Sequence, residues 1–199
     1  SARIPATVEQ VFVSAGDRVK KGQKLIALDA RDIRQKLAAA EAQLGQARTE
    51  YDRAQKLFES QATTDQMLTA ARSMFNAAQA QVEEVKVMLT YAQVESPIDG
   101  VVTERRIEAG DLAAPGLPLL AVYDPLRMRL EAPVPVRLVD RLALGQTVEV
   151  ALDRPARVFP GTVAEIVSEV DAATRTQLVK VHLDGVAGDV LPGTFGRLW

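Results

Sequence analysis

Apolar residues follow two different rhythms along this chain. Between residues 30 and 94, Ile33, Leu37, Ala40, Leu44, Ala47, Tyr51, Ala54 and Phe58 alternate steps of four and three. Leu68, Ala71, Phe75, Ala78, Val82, Val85, Leu89 and Ala92 repeat the pattern. Each series is an a/d heptad seam, the mark of a helix that packs along one stripe. The segment is rich in Ala, Gln, Leu, Arg and Glu and holds no proline, and residues 60–65 break it with three N-cap candidates, Thr63, Thr64 and Asp65. The pattern predicts an antiparallel two-helix coiled coil with arms of about 28 residues, roughly 40 Å long. An ordinary helix bundle is the commoner setting for such helices, but the rest of the chain reads mostly as strand and offers no third heptad helix to complete one.

The flanks alternate with the period of strands and carry every proline. They also repeat each other. Ala15, Gly16, Asp17, Gly22, Leu25 and Ala27 meet the same residue types at Ala109, Gly110, Asp111, Gly116, Leu119 and Ala121, with Val8 against Val102 and Val13 against Ile107. Each copy reads as strand, Gly-Asp turn, short extended piece, second glycine and strand, which is too little to bury a core alone. Two copies related by an approximate two-fold axis would close a small sandwich. Beyond residue 126, Met128, Leu130, Ala132 and Val134, then Val148, Val150 and Leu152, then Val179, Val181 and Leu183 alternate with polar or smaller residues. Short strands with Pro and Gly turns predict a small antiparallel barrel, with a short helix at 137–143.

Composition removes most chemistry. No cysteine is present, so disulfides, thiolate catalysis and Cys-ligated zinc are excluded. The single histidine, His182, shares a polar strand face with Lys180 and has no second ligand near it in sequence. A net charge of −2 and 47% hydrophobic residues fit neither a nucleic-acid binder nor a disordered tail. There is no phosphate-binding glycine loop, metal cluster or nucleophile–base pair, so no enzymatic activity and no cofactor or metal is expected. Most of the four methionines are read as packing residues, and nothing in their placement supports copper handling.

The two flanking copies resemble the halves of the lipoyl or biotinyl carrier fold. Such carriers expose a modified lysine on the turn between halves, whereas that junction here reads Leu28-Asp29-Ala30-Arg31. A carrier subunit of a multienzyme complex is therefore the second reading, and Lys20 and Lys21 are read as solvated turn charges. The order of parts resembles the periplasmic adaptors, or membrane fusion proteins, of the HlyD-like kind found in resistance-nodulation-division (RND) efflux and type I secretion pumps. Gly-Asp-Arg-Val-Lys-Lys-Gly-Gln at 16–23, Ser-Pro-Ile-Asp-Gly-Val-Val at 96–102, Val-Asp-Ala-Ala-Thr-Arg-Thr at 170–176 and Leu191-Pro192-Gly193 carry the likeness.

The resemblance implies an α+β multidomain chain. A lipoyl-like β-sandwich of residues 1–29 and 95–125 is interrupted by a helical hairpin at 30–94 and followed by a β-barrel at 126–199 that is expected to be incomplete. It implies a non-enzymatic subunit that bridges an RND-type inner-membrane transporter and a TolC-like outer-membrane channel as a ring of six. The location implied is the periplasm, with an inner-membrane anchor outside residues 1–199. Adaptors that dock on such channels share a hairpin-tip pattern of Arg, three residues, Leu, six residues and Ser. Arg53 and Leu57 match it, and Thr64 stands at the serine position with its hydroxyl kept.

Overall fold

The computed structural model describes residues 1–186, 188 and 190–199. By packing they form two compact units, residues 1–97 with 102–121, and residues 98–101 with 122–199. In the first, β1 (Ala6–Val11), β2 (Arg18–Val19) and β3 (Lys24–Leu28) precede α1 (Arg31–Glu59) and α2 (Asp65–Tyr91), and β4 (Gln93–Glu95) follows. Then come β5 (Gly100–Arg105), whose first two residues fall in the second unit, β6 (Leu112–Ala113), and β7 (Leu120–Tyr123), whose last two do.

The sheets run β4-β3-β1-β6 and β2-β5-β7, so each copy of the repeat lends its short middle strand to the sheet of the other. The exchange is reciprocal down to single hydrogen bonds. Val8 N donates to Asp111 O at 2.8 Å, and Val102 N donates to Asp17 O at 2.9 Å. Gly110 N donates to Val8 O and Gly16 N to Val102 O, both at 2.8 Å. The Gly-Asp turns are built alike. Gly16 and Gly110 sit at φ +94° and +97°, where a side chain would be strained. Asp17 and Asp111 each accept a backbone N–H three residues upstream, from Ser14 at 2.7 Å and Glu108 at 2.8 Å. Val8, Val13, Val19, Leu25, Val102, Ile107, Ala113 and Leu119 are all buried, so one apolar core belongs to both halves.

The helices interrupt this sandwich between paired strands. Ala27 lies opposite Gln93 in the β3–β4 ladder, and Leu28 N donates to Ala92 O at 2.8 Å. Along the hairpin the seam is as the heptads predict. Ala40, Val82 and Val85 are buried with Ile33, Leu37 and Leu44 against them, and Tyr51 stacks on Phe75 with ring centroids 5.6 Å apart. Phe58 departs from the expectation: it is 40% exposed, because α1 ends one residue later and α2 offers no partner beyond the reversal.

The reversal itself places Gln61 at φ +56°, a left-handed conformation that usually goes to glycine after a helix. Ala62 N donates to Leu57 O at 2.7 Å across it. Gln61→Gly is expected to remove this strain and stabilise the hairpin by about 0.5–1 kcal/mol after the extra chain entropy of glycine is offset. A rise in the urea midpoint followed by helical circular dichroism would show it, and a fall would mean the Gln61 side chain matters more than its backbone.

The second unit carries β8 (Arg129–Pro135), α3 (Val136–Val139), β9 (Thr147–Leu152), β10 (Arg157–Asp171), β11 (Thr176–Leu183) and β12 (Gly196–Leu198). Its five strands run β12-β9-β10-β11-β8, every neighbour antiparallel. Val150, Phe159, Val163, Val179 and Val181 form the centre of its core. The alternation read in the sequence holds on β9 and β11, where Val148, Val150, Leu152, Val179, Val181 and Leu183 point inward and are buried. The short helix is a single turn at Val136–Val139 rather than 137–143. Residues 141–146 continue as tight turns, with Leu142 N bonded to Val139 O at 2.8 Å and Gly145 at φ +81°. The Val-Asp-Ala-Ala-Thr-Arg-Thr motif forms the β10–β11 turn. Asp171 Oδ1 accepts from Ala173 N at 2.8 Å and Thr174 N at 3.2 Å, which holds its carboxyl below the usual range.

Candidate functional site

The hairpin tip is where exposed apolar groups collect on one element. Leu57, Phe58, Met67 and Met74 are 42%, 40%, 65% and 69% exposed. A solvated helix surface would carry polar residues there. On one face, Arg53, Ala54, Leu57, Thr63, Met67 and Ala71 line part of a groove of about 720 Å³ between the two helices. Alanines keep its floor low, and the larger side chains stand along its length.

Arg53 and Leu57 are thus brought together one helical turn apart, as their spacing predicts. The Arg53 guanidinium lies 3.2 Å from Glu50 in an exposed pair, the kind that contributes only a few tenths of a kcal/mol. Thr64 is placed otherwise. It is the N-cap of α2, with extended backbone and its hydroxyl accepting from Met67 N at 3.4 Å. It remains exposed, but the threonine that lines the groove is its neighbour Thr63, whose hydroxyl lies 3.2 Å from Met67 Sδ. Met67 and Met74 are the groove residues that sequence reasoning missed by assigning methionines to packing. Their separation of two helical turns on one face, beside the Leu68 and Phe75 seam, was the available signal. Met128 does pack against the barrel core.

At the junction where a carrier would expose its lysine, the chain starts α1 instead. Asp29 Oδ1 accepts from Arg31 N at 3.0 Å, standing in for the missing side-chain cap at Ala30. The Arg31 guanidinium and backbone bonds hold the Asp29 carboxyl at about 2. Among the described residues no group of three or more His, Cys, Asp or Glu is placed to hold a metal ion, and no helix is long and apolar enough to cross a membrane.

A family model described as a CzcB-like, barrel-sandwich hybrid domain matches residues 1–124, and a CusB-like, beta-barrel domain matches residues 129–198. The chain belongs to the membrane fusion protein family. These adaptors are structural subunits and not enzymes. An uncharacterised protein of Haemophilus influenzae is 30% identical over 200 residues, covering all of this chain and 52% of its own length. The cobalt-zinc-cadmium resistance protein CzcB of Cupriavidus metallidurans is 28% identical over 97% of this chain and 40% of its own. The chain thus spans about half the length of the curated relatives it matches, or less. Among solved structures, a MacA-MexA chimera containing the Pseudomonas aeruginosa MexA α-hairpin superposes with a TM-score of 0.88 at 20% identity, covering 99% of this chain and 71% of that one. The membrane fusion protein Spr0693 of Streptococcus pneumoniae gives 0.80 at 16%, over 100% and 94% of the two chains. At these identities the superpositions speak for the fold: a two-helix hairpin inserted in a split sandwich, then a barrel.

Proposed function

We propose that this membrane fusion protein is the periplasmic adaptor of a tripartite efflux or export pump, joining an RND-type inner-membrane transporter to a TolC-like outer-membrane channel. The observation that carries the reading is the hairpin: arms of 29 and 27 residues pack on each other and end in an exposed apolar tip. Such an arm gives reach and a contact surface, and neither catalysis nor ligand enclosure needs it. The relatives named for metal resistance (CzcB) and multidrug resistance (MdtA) support an export setting. In this reading residues 1–29 with 95–125 form the sandwich, 30–94 the arm and 126–199 the transporter-side barrel. The adaptor is held at the inner membrane by an anchor outside residues 1–199, and subunits associate as a ring of six.

Arg53, Leu57 and Thr64 are the proposed channel contacts, with Met67 beside them. Arg53 can donate charge-assisted bonds to carbonyls, and Leu57 and Met67 can enter an apolar notch. Thr64 retains one donor while its acceptor side serves the cap. A photo-crosslinking residue placed at Leu57 of the full-length protein in the cell envelope is expected to capture an outer-membrane channel. Capture of periplasmic or inner-membrane proteins alone would overturn the tip assignment.

A further inference from the structure

We propose that Met67 and Met74 are a paired oxidation site, open in the undocked subunit to oxidants of the hypochlorous acid class, and that their sulfoxides switch off docking by the hairpin tip. The second half of this rests on the docking reading above. The chain holds four methionines and no cysteine, so no thiol competes with its thioethers for oxidant. The four are not equal. Met67 and Met74 expose well over half of their surface, whereas Met88 is half-buried and Met128 packs against the barrel core. Thioether oxidation follows access, because the oxidant must touch the sulfur.

The sulfur lone pair attacks the chlorine of hypochlorous acid, and hydroxide leaves. Water then adds to the chlorosulfonium and chloride departs with two protons, one of which neutralises the hydroxide. The product is a sulfoxide: sulfur has given up two electrons and chlorine has taken them. No backbone bond is touched, and the change is reversible by the two epimer-specific methionine sulfoxide reductases.

The surroundings of the two sulfurs tolerate the product. Thr63 Oγ1 lies 3.2 Å from Met67 Sδ, a weak bond because a thioether is a poor acceptor. A sulfoxide oxygen on the same sulfur is a much stronger acceptor for that hydroxyl. Met67 is also the third residue of α2, at the helix end whose unpaired N–H groups favour an acceptor oxygen. Met74 stands clear of the seam, where Ala71, Phe75 and Ala78 are the half-buried residues. Oxidation at either position therefore changes the surface of the arm and leaves the contact between its helices in place.

The consequence falls on the groove that both methionines line. Glu50 and Arg53 are its charged side chains and pair with each other, so its walls are otherwise apolar or neutral. Two thioethers turned into dipolar sulfoxides no longer match an apolar partner surface, because a strong acceptor buried without a donor loses its water bonds for nothing. The coupling is reciprocal: a docked partner covers the sulfurs and slows their oxidation by as much as oxidation weakens docking. The undocked subunit is thus the form that is switched.

The test treats the purified full-length protein with stepwise additions of hypochlorous acid, quenches with free methionine and follows each methionine by peptide mass spectrometry. Met67 and Met74 are expected to convert about tenfold faster than Met88 and Met128, with helical circular dichroism unchanged. Equal rates at the four positions, or loss of helicity as Met67 and Met74 convert, overturn the site. Docking is measured separately. The same protein, with a photo-crosslinking residue in place of Leu57, is mixed with outer membranes of the cell that makes it, before and after treatment. Capture of the channel is expected to fall about tenfold on treatment and to return after both sulfoxide reductases. A variant carrying Met67→Leu and Met74→Leu is compared only with itself untreated, and treatment should leave its capture where it was. Undiminished capture by the doubly oxidised parent, or an equal fall in the leucine variant, overturns the switch. Should the leucine variant not dock, recovery of the parent by the reductases decides alone, and no recovery sinks the idea. If the untreated parent captures no channel, the docking reading fails and the switch with it, while the order of oxidation still decides the modification site.

Discussion

Gly100→Ala is expected to lower the unfolding temperature by about 8 °C, corresponding to about 3 kcal/mol in a chain of this size. Gly100 opens β5 inside the Ser-Pro-Ile-Asp-Gly-Val-Val motif and is buried. A β-carbon built on it would fall on the Tyr123 carbonyl oxygen and within 2.8 Å of Val122 Cγ1. The oxygen is backbone in β7, so relief requires a strand to move and not a side chain to rotate. The control is Gly45→Ala on α1, where a β-carbon meets nothing within 4 Å. There the change should stabilise by up to about 1 kcal/mol, since glycine is the poorer helix former. Scanning calorimetry of both variants is the measurement. Equal melting for Gly100→Ala and the parent would show that the β5–β7 approach is looser than described.

The second large effect is expected on export and not on folding. Arg53→Asp with Leu57→Asp replaces a cation and an apolar group at the tip by two anions. The fold loses the weak Glu50 pair and gains a like-charge neighbour, together worth under about 1 kcal/mol. At an interface the same change removes charge-assisted bonds and buries unpaired charge, commonly about 2 kcal/mol or more, or roughly a 30-fold loss of affinity. Thr64 needs a different substitution, because its hydroxyl caps α2. Thr64→Asp keeps a good N-cap acceptor while removing the donor, so it separates docking from capping. In a full-length, membrane-anchored protein, export should fall sharply with the Arg53 and Leu57 changes while helical circular dichroism of residues 1–199 stays within a few percent. Normal export with all three changes would remove the docking assignment, and lost helicity would return these residues to the fold.

Much of the architecture was legible because it rests on local periodicity. The seam from Ile33 to Ala54 and its partner from Leu68 to Leu89 are set by a 3.5-residue repeat that any helix of this sequence must present. The repeat of Ala15-Gly16-Asp17 at Ala109-Gly110-Asp111 likewise announced two equal halves, since a Gly-Asp turn needs the same backbone wherever it occurs. At the tip, Arg53 and Leu57 fell on one face because four residues make about one helical turn.

What the sequence determined by itself, then, is which segments are helix, which are strand, and which halves match. Tertiary structure alone decided who pairs with whom. Nothing local tells β2 to join β5 and β6 to join β1, because strand exchange is chosen by the shared core of Val8, Leu25, Val102 and Leu119. Nor does a heptad tell where a seam stops: Phe58 has the right position and no partner, since α2 begins only at Asp65. The exposure of Met67 and Met74 depended on which stripe of α2 met α1. That β8 and β12 end as the outer strands of the five-stranded sheet was likewise settled by pairing between segments distant in sequence, which no local pattern specifies.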